Sequence, residues 1–282
     1  MNLKIVCTSK PCDGLLYYSY EYASRLNCTL IIITHPGFSR QDYIDSISKK
    51  YIHCQNLVFD RYLCEEDDVF LLMGRSMITL PYLNIDNYTM EQVVSMDDIF
   101  SSKLIIVYSE NHPTHYPLAI KFFAPSKVID LCDHDVYPNG IGKHFEKTIN
   151  FEIYKPFDQE IQFEYLFLGT NEKYYRSVER ALSEYPSHGI IVYPNEQYIN
   201  HKNNNIEAPV SNLLGIFNCY VYVKETFDPA PRIIQECKYF NKEVIYKRDS
   251  SIVDGGSVYW KRDIVPPDIN EIENALKEIC DD

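Results

Sequence analysis

The chain has 282 residues, 45% of them apolar and 24% charged, so it can bury an ordinary core without disulfide or metal staples. A formal charge of −13 argues against a surface coated in basic residues for nucleic acid and leaves only a local basic groove open. Nine cysteines without a Cys-x-x-Cys pair argue against a disulfide framework and a zinc site, and point to a reducing compartment.

Residues 3–8 read as a buried strand, and Met1 leads into it without the long apolar core of a signal peptide. No apolar run approaches the ~20 residues of a membrane span, so a cytoplasmic protein without a membrane partner is expected. Gly14 marks a turn, and residues 15–26 carry a helical pattern. Residues 29–34 form a β-branched strand closed by His35-Pro36-Gly37. Further strands are predicted at 56–59, 69–73, 103–108 and 127–132, the last of this half. Residues 133–160 break the rhythm with Pro138, Gly140, Gly142 and Pro156, which places a boundary between domains 1–150 and 151–282.

The second half restarts with a strand at 165–168, the turn Gly169-Thr170-Asn171 and a helix at 172–185. A strand at 189–193, a polar loop at 195–212 and a strand at 219–223 follow. Then come a helix at 232–240, a strand at 243–246 and an amphipathic helix at 268–279. Strands alternating with helices predict an α/β fold: two Rossmann-like domains with mainly parallel sheets and an intervening cleft. In such sheets ligands bind beyond the carboxyl ends of the strands. The 24 tyrosines suit sugar or base stacking, or reflect compositional bias alone.

The richest segment is Glu225-Thr-Phe-Asp228-Pro-Ala-Pro-Arg232-Ile-Ile-Gln-Glu236. Pro231 suits a first helical turn, where a missing N–H costs nothing. The helix start at Ala230–Arg232 offers unpaired N–H groups to a phosphate, and Arg232 adds a bidentate donor. Glu236 lies one turn on, on the same helix face, where a carboxylate can accept two ribose hydroxyls. An ordinary surface helix with a charged face is the alternative. Gly169, with Lys173 and Arg176, forms a second phosphate candidate; otherwise these cations are solvated helix residues.

The first half supplies groups for the other substrate. Asp13 could orient or deprotonate a hydroxyl, or simply cap a helix. Gly14 lets a backbone pass close to a ligand. Arg75 and His112 could contact an acceptor, and Asp133 and His134 could supply a general base. An Asp-x-Asp metal motif at 133–135 is disfavoured by the doubled α/β pattern.

Asp228 and Glu236, with seven residues between them, resemble the paired acids of retaining GT-B nucleotide-sugar glycosyltransferases, Asp replacing the more usual Glu. The following helix, turn and strand fit that family, with Asn241 at its usual glycine, and Gly255-Gly256-Ser257…Trp260 fits loosely. The form Asp-x-x-Pro-Arg…Glu resembles enzymes of bacteria and tailed phages. The resemblance implies the GT-B fold, with transfer of a glucose- or arabinose-type sugar from a UDP-sugar to a hydroxyl. Asp228, Ala230, Arg232, Glu236, Gly169 and Lys173 would hold the donor. No cofactor and no metal would be required, and the protein would act as a monomer. The phage likeness implies 5-hydroxymethylcytosine in duplex DNA as acceptor. Lys143, His144, Lys147 and Lys155 would then form a basic lip, and Tyr17, Tyr18, Tyr20 and Tyr22 are available to stack on a flipped base. The alternatives are a polysaccharide or protein acceptor, or a nucleotide-binding protein without catalysis.

Overall fold

The computed structural model describes residues 2–73, 87–100, 105–109, 127–130, 143–144, 149–156, 160–168, 183–185, 187–192, 205–207, 213–222, 232–246 and 274. Two compact units are present, Met1–Tyr154 with Pro266–Asp282, and Lys155–Val265.

The first unit opens with β1 (Asn2–Cys7), α1 (Gly14–Arg25), β2 (Thr29–Ile32), α2 (Arg40–Lys50), β3 (Leu57–Phe59), β4 (Asp68–Met73) and α3 (Met90–Phe100). It continues through β5 (Ile105–Ser109), β6 (Lys127–Asp130) and β7 (Lys143–His144). These strands form one sheet in the order β3-β2-β1-β4-β5-β6-β7, and every pairing in it is parallel. All six residues of β4 are buried, as befits a central parallel strand covered on both faces. Val6, Ile31, Phe70 and Leu72 of the sheet, with Ile33 just after β2, pack with Met96 and Ile99 of α3.

Helix α1 is buried over Leu15–Ala23 on every side. Its start is capped by Asp13, whose Oδ1 accepts from the Leu15 N–H at 2.9 Å. Its end is a Schellman turn with Asn27 at φ 48°, the Cys28 N–H returning to the Ala23 carbonyl at 3.0 Å. Tyr17, Tyr18, Tyr20 and Tyr22 are therefore interior residues, each under 5% exposed, and the base-stacking set read from the sequence is corrected. Tyr17 and Tyr20 pack on Tyr51 with centroids 5.9 and 5.0 Å away. The buried Lys50 ammonium lies 4.1 Å from the Tyr17 ring centroid and 4.9 Å from that of Tyr154. This aromatic seat ties α1 and α2 to the last residue of the unit's main segment.

The second unit contains β8 (Phe163–Leu168), β9 (His188–Val192), β10 (Asn205–Glu207), β11 (Phe217–Tyr222), α4 (Arg232–Tyr239) and β12 (Glu243–Tyr246). Its sheet runs β10-β9-β8-β11-β12, again wholly parallel. Its core gathers Leu166, Leu214, Phe217, Tyr220, Ile233, Ile234 and Cys237.

Two short strands depart from the sequence reading. The strand at 127–132 is not the last of its half, because β7 pairs beyond it through Ile129 and Asp130. Within the expected loop at 195–212, β10 pairs with β9. Both lie at sheet edges and are held by backbone bonds, so neither carries the apolar run that announces an interior strand. The helices expected at 172–185 and 268–279 lie outside the described residues, apart from 183–185 and a helical Asn274.

Candidate functional site

In the second sheet the chain order reverses at β8, which lies between β9 and β11. The segments leaving the carboxyl ends of β8 and β11 flank a topological switch point, the ordinary ligand position of an open parallel sheet. Both donor segments read from the sequence leave those two strands. Gly169 and Lys173 follow β8, while Asp228 and Ala230 lie between β11 and α4. These four lie outside the described residues. Arg232 and Glu236 are on α4 and are described.

Helix α4 buries Ile233, Ile234 and Cys237 against the sheet. Arg232 and Glu236 are buried as well, with side chains 9% and 3% exposed, and the Arg232 Nε donates to Glu236 Oε1 at 2.6 Å. The solvated charged face considered for this helix is thereby corrected: the two charges lie inside and are paired. Asn241 stands at φ 54°, where its N–H returns to Lys238 and the Lys242 N–H to Cys237. Asparagine is among the few residues that tolerate the left-handed backbone such a Schellman turn needs. At the carboxyl ends of β11 and β12 the Tyr222 and Tyr246 rings stack at 5.4 Å and 11°. Burial pushes the Cys237 thiol well above its ordinary range, with the Glu236 carboxylate adding to the effect. Burial likewise raises Cys219 to about 12, so neither sulfur is a thiolate nucleophile at neutral pH.

In the first sheet the reversal lies at β1, between β2 and β4. The segment after β1 holds Asp13 and Gly14. Asp13 is exposed and spends Oδ1 on the cap of α1. Gly14 opens the helix, and a Cβ there would meet nothing within 4 Å, so protein packing does not require the glycine. Before them, Cys12 takes φ 65°, its N–H held by Ser46 Oγ at 2.9 Å. Arg75 follows β4, His112 follows β5, and Asp133 and His134 follow β6; all four lie outside the described residues.

Thr8, next after β1, is 3% exposed, and its hydroxyl has no hydrogen-bond partner among the described residues. A buried hydroxyl in that state costs free energy that a methyl group would not. Thr8→Val should therefore raise folding stability by about 1 kcal/mol, read as a higher urea midpoint at constant slope. An unchanged or lower midpoint would show that a water or other group satisfies the hydroxyl in solution.

Sequence reading missed the buried polar network at the ends of β2 and β3. The Asp60 Oδ1 accepts from the Thr34 N–H (2.9 Å), the Thr34 hydroxyl (2.6 Å) and Gln92 Nε2 (2.8 Å), and Oδ2 accepts from Arg40 Nε (3.0 Å). Gln92 Oε1 meanwhile accepts from the Thr89 N–H, and the Gln92 N–H donates to Thr89 Oγ1, a capping box at the start of α3. The Thr89-x-x-Gln92 spacing could have signalled that helix start. Another acidic group, Glu65, Asp67 and Asp68, could in principle meet a cation. It lies at the amino end of β4, and Asp68 already accepts from Asn2, Tyr62 and the Glu65 N–H.

No protein-family model and no curated relative matches the chain. Among solved structures, the HepE protein of Anabaena, in complex with UDP and glucose, aligns with a TM-score of 0.55 at 10% identity, over 100% of this chain and 90% of that one. The likeness is one of fold. The UDP-GlcNAc 2-epimerase of Neisseria meningitidis, bound to UDP-GlcNAc, aligns at a TM-score of 0.44 and 11% identity, over 100% of this chain and 92% of that one. Among the described residues no helix is long and apolar enough to cross a membrane.

Proposed function

We propose that this chain is a GT-B glycosyltransferase that moves a sugar from a UDP-sugar to a hydroxyl acceptor. One observation carries the reading: the two donor segments read independently from the sequence leave β8 and β11, the strands flanking the switch point of the second sheet. The likeness in fold to a protein held in complex with UDP and glucose supports it. In this reading Glu236 accepts the ribose hydroxyls. Asp228, with the helix start at Ala230, faces the sugar and diphosphate. Gly169 and Lys173 meet the diphosphate, where a cation offsets the charge developing on the leaving group. The base that deprotonates the acceptor comes from the first unit, from Asp13, Asp133 or His134. Gly14, Arg75 and His112 contact the acceptor. Cations and N–H dipoles serve the leaving group, so the reading calls for no metal.

The acceptor to test first is 5-hydroxymethylcytosine in duplex DNA. Burial of Tyr17, Tyr18, Tyr20 and Tyr22 removes one support for a flipped base, so a saccharide acceptor is tested beside it. Thermal melting with UDP, UDP-glucose, GDP and ADP checks the donor, since a ligand of the native state raises the midpoint. UDP and UDP-glucose should shift it most, and shifts equal for all four nucleotides would sink the donor reading. Transfer of labelled glucose to 5-hydroxymethylcytosine duplex, but not to methyl glucoside, identifies DNA; label on the saccharide alone rejects it.

A further inference from the structure

Resting on the glycosyltransferase reading above, we propose that His35 is a catalytic residue, the base that takes the proton of the acceptor hydroxyl. His35 follows β2 on the carboxyl edge of the first sheet, beside β1, where the strand order reverses. That edge is the ligand side of an open parallel sheet. The imidazole is committed at one nitrogen only. Its Nδ1 lies 3.0 Å from the Pro36 carbonyl oxygen. A carbonyl oxygen accepts and cannot donate, so in the neutral ring Nδ1 carries the hydrogen and Nε2 holds the lone pair. Nε2 has no hydrogen-bond partner among the described residues, and the residue is half-buried.

The backbone that carries this ring is fixed on both sides. The His35 N–H donates to the Tyr43 hydroxyl at 2.8 Å, and that hydroxyl donates to the Ser9 carbonyl at 2.9 Å. Tyr43 of α2 is wholly buried, so one phenol ties the segments after β1 and β2 together. The Phe38 N–H returns to the His35 carbonyl at 3.1 Å. Pro36 and Gly37, the glycine at φ 91°, take the second and third places of that turn, the pattern of type II. The Phe38 ring meets the imidazole edge to face, with centroids 6.0 Å apart. None of these contacts uses Nε2. A base has to be held in place before its substrate arrives, and this turn holds one. Asp13, the described alternative, is exposed and spends Oδ1 on the cap of α1. In the transfer, the acceptor oxygen bonds to the anomeric carbon of the sugar as the bond from that carbon to the diphosphate oxygen breaks. The electron pair leaves on UDP, and the acceptor proton passes to Nε2 and then to water.

The test measures glucose transfer from UDP-glucose to 5-hydroxymethylcytosine duplex, to methyl glucoside and to water, with UDP affinity by titration calorimetry, in the full-length wild type, His35→Gln and His35→Ala. Both variants should lose about a hundredfold or more in kcat, the scale of a general base, while binding UDP as the wild type does. Free imidazole should restore part of the rate to His35→Ala in a saturable way. Imidazole replaces a missing base but does not repair a disturbed loop, so rescue separates catalysis from a structural role. Nitrogen NMR of histidine-labelled wild type, with His35→Gln assigning the signal, should show the hydrogen on Nδ1. Variants that keep kcat, a His35→Ala that imidazole does not rescue, or a ring with its hydrogen on Nε2 would each overturn the proposal. A wild type that binds UDP and moves glucose to none of the three acceptors overturns it too, while leaving the donor site standing. A cooperatively melting wild type that binds no UDP overturns the donor reading itself.

Discussion

Asp60→Ala is expected to lower folding stability by about 3 kcal/mol, one of the two largest effects among the polar residues described. The substitution leaves the buried Thr34 N–H without its acceptor, at about 1–3 kcal/mol for a donor so stranded, and takes one acceptor from the Thr34 hydroxyl and from the Gln92 amide, which still donates to the Thr34 carbonyl and hydroxyl. It also places alanine at φ 64°, where a Cβ without local hydrogen bonding costs about 1–2 kcal/mol. Arg40, with its side chain 58% exposed, contributes little because solvent screens it. Asp60→Asn keeps the shape and tolerates the left-handed backbone, so it should lose less and isolates the charge.

Acid should remove the same contribution. Burial alone would raise the Asp60 carboxyl, but hydrogen bonds from Thr34, Gln92 and Arg40 outweigh it and hold the group below the ordinary aspartate range. A group depressed in the folded state stabilises fully above its unfolded value, about 3.9, and that stabilisation is lost as pH falls through the lower folded value. Urea midpoints of wild type and Asp60→Asn should therefore differ at pH 7 and converge toward pH 3. A constant difference across that range would remove Asp60 from the acid transition.

Glu236→Ala is expected to have the largest effect on ligand binding, weakening UDP by about 1–3 kcal/mol, or roughly tenfold to a hundredfold. Stability should fall too, by about 3–5 kcal/mol, because Arg232 loses its buried carboxylate partner. The two losses must be separated. Glu236→Gln keeps an oxygen for the Arg232 Nε while halving the acceptor set. It should retain most of the stability and still bind UDP more weakly. Unchanged UDP affinity in a folded Glu236→Gln and Glu236→Ala would reject the assignment of this carboxylate to the ribose.

Elements whose neighbours in sequence settle their conformation were legible beforehand. The strand at 243–246 has the bounds found for β12. The helix at 232–240 differs from α4 by one residue. The left-handed turn at Asn241 was readable because backbone sterics leave few residues able to take it. Helix α2 carried its own sign, the Ser39–Asp42 capping box, yet its apolar periodicity is weak, and α3 was passed over similarly. Edge strands β7 and β10 gave no sign, being held by hydrogen bonds to a neighbour that only the fold supplies.

Chain order, alternation of strands and helices, and the spacing of Asp228, Arg232 and Glu236 belong to the sequence by itself. The i,i+4 spacing already placed Arg232 and Glu236 on one helix face. Whether that face looked outward was decided by tertiary structure, since α4 packs the face into the core and so converts two surface charges into a buried pair. The same holds for the tyrosines of α1. An amphipathic ring suits solvent, ligand or interior alike, and only the packing of α1 and α2 around Tyr51 and Lys50 assigned them to the interior. Strand order, too, follows from which edges meet, and it alone brought the segments after β8 and β11 to one switch point. Local sterics and periodicity act within a few residues, whereas burial, pairing and strand order depend on partners far away in the chain.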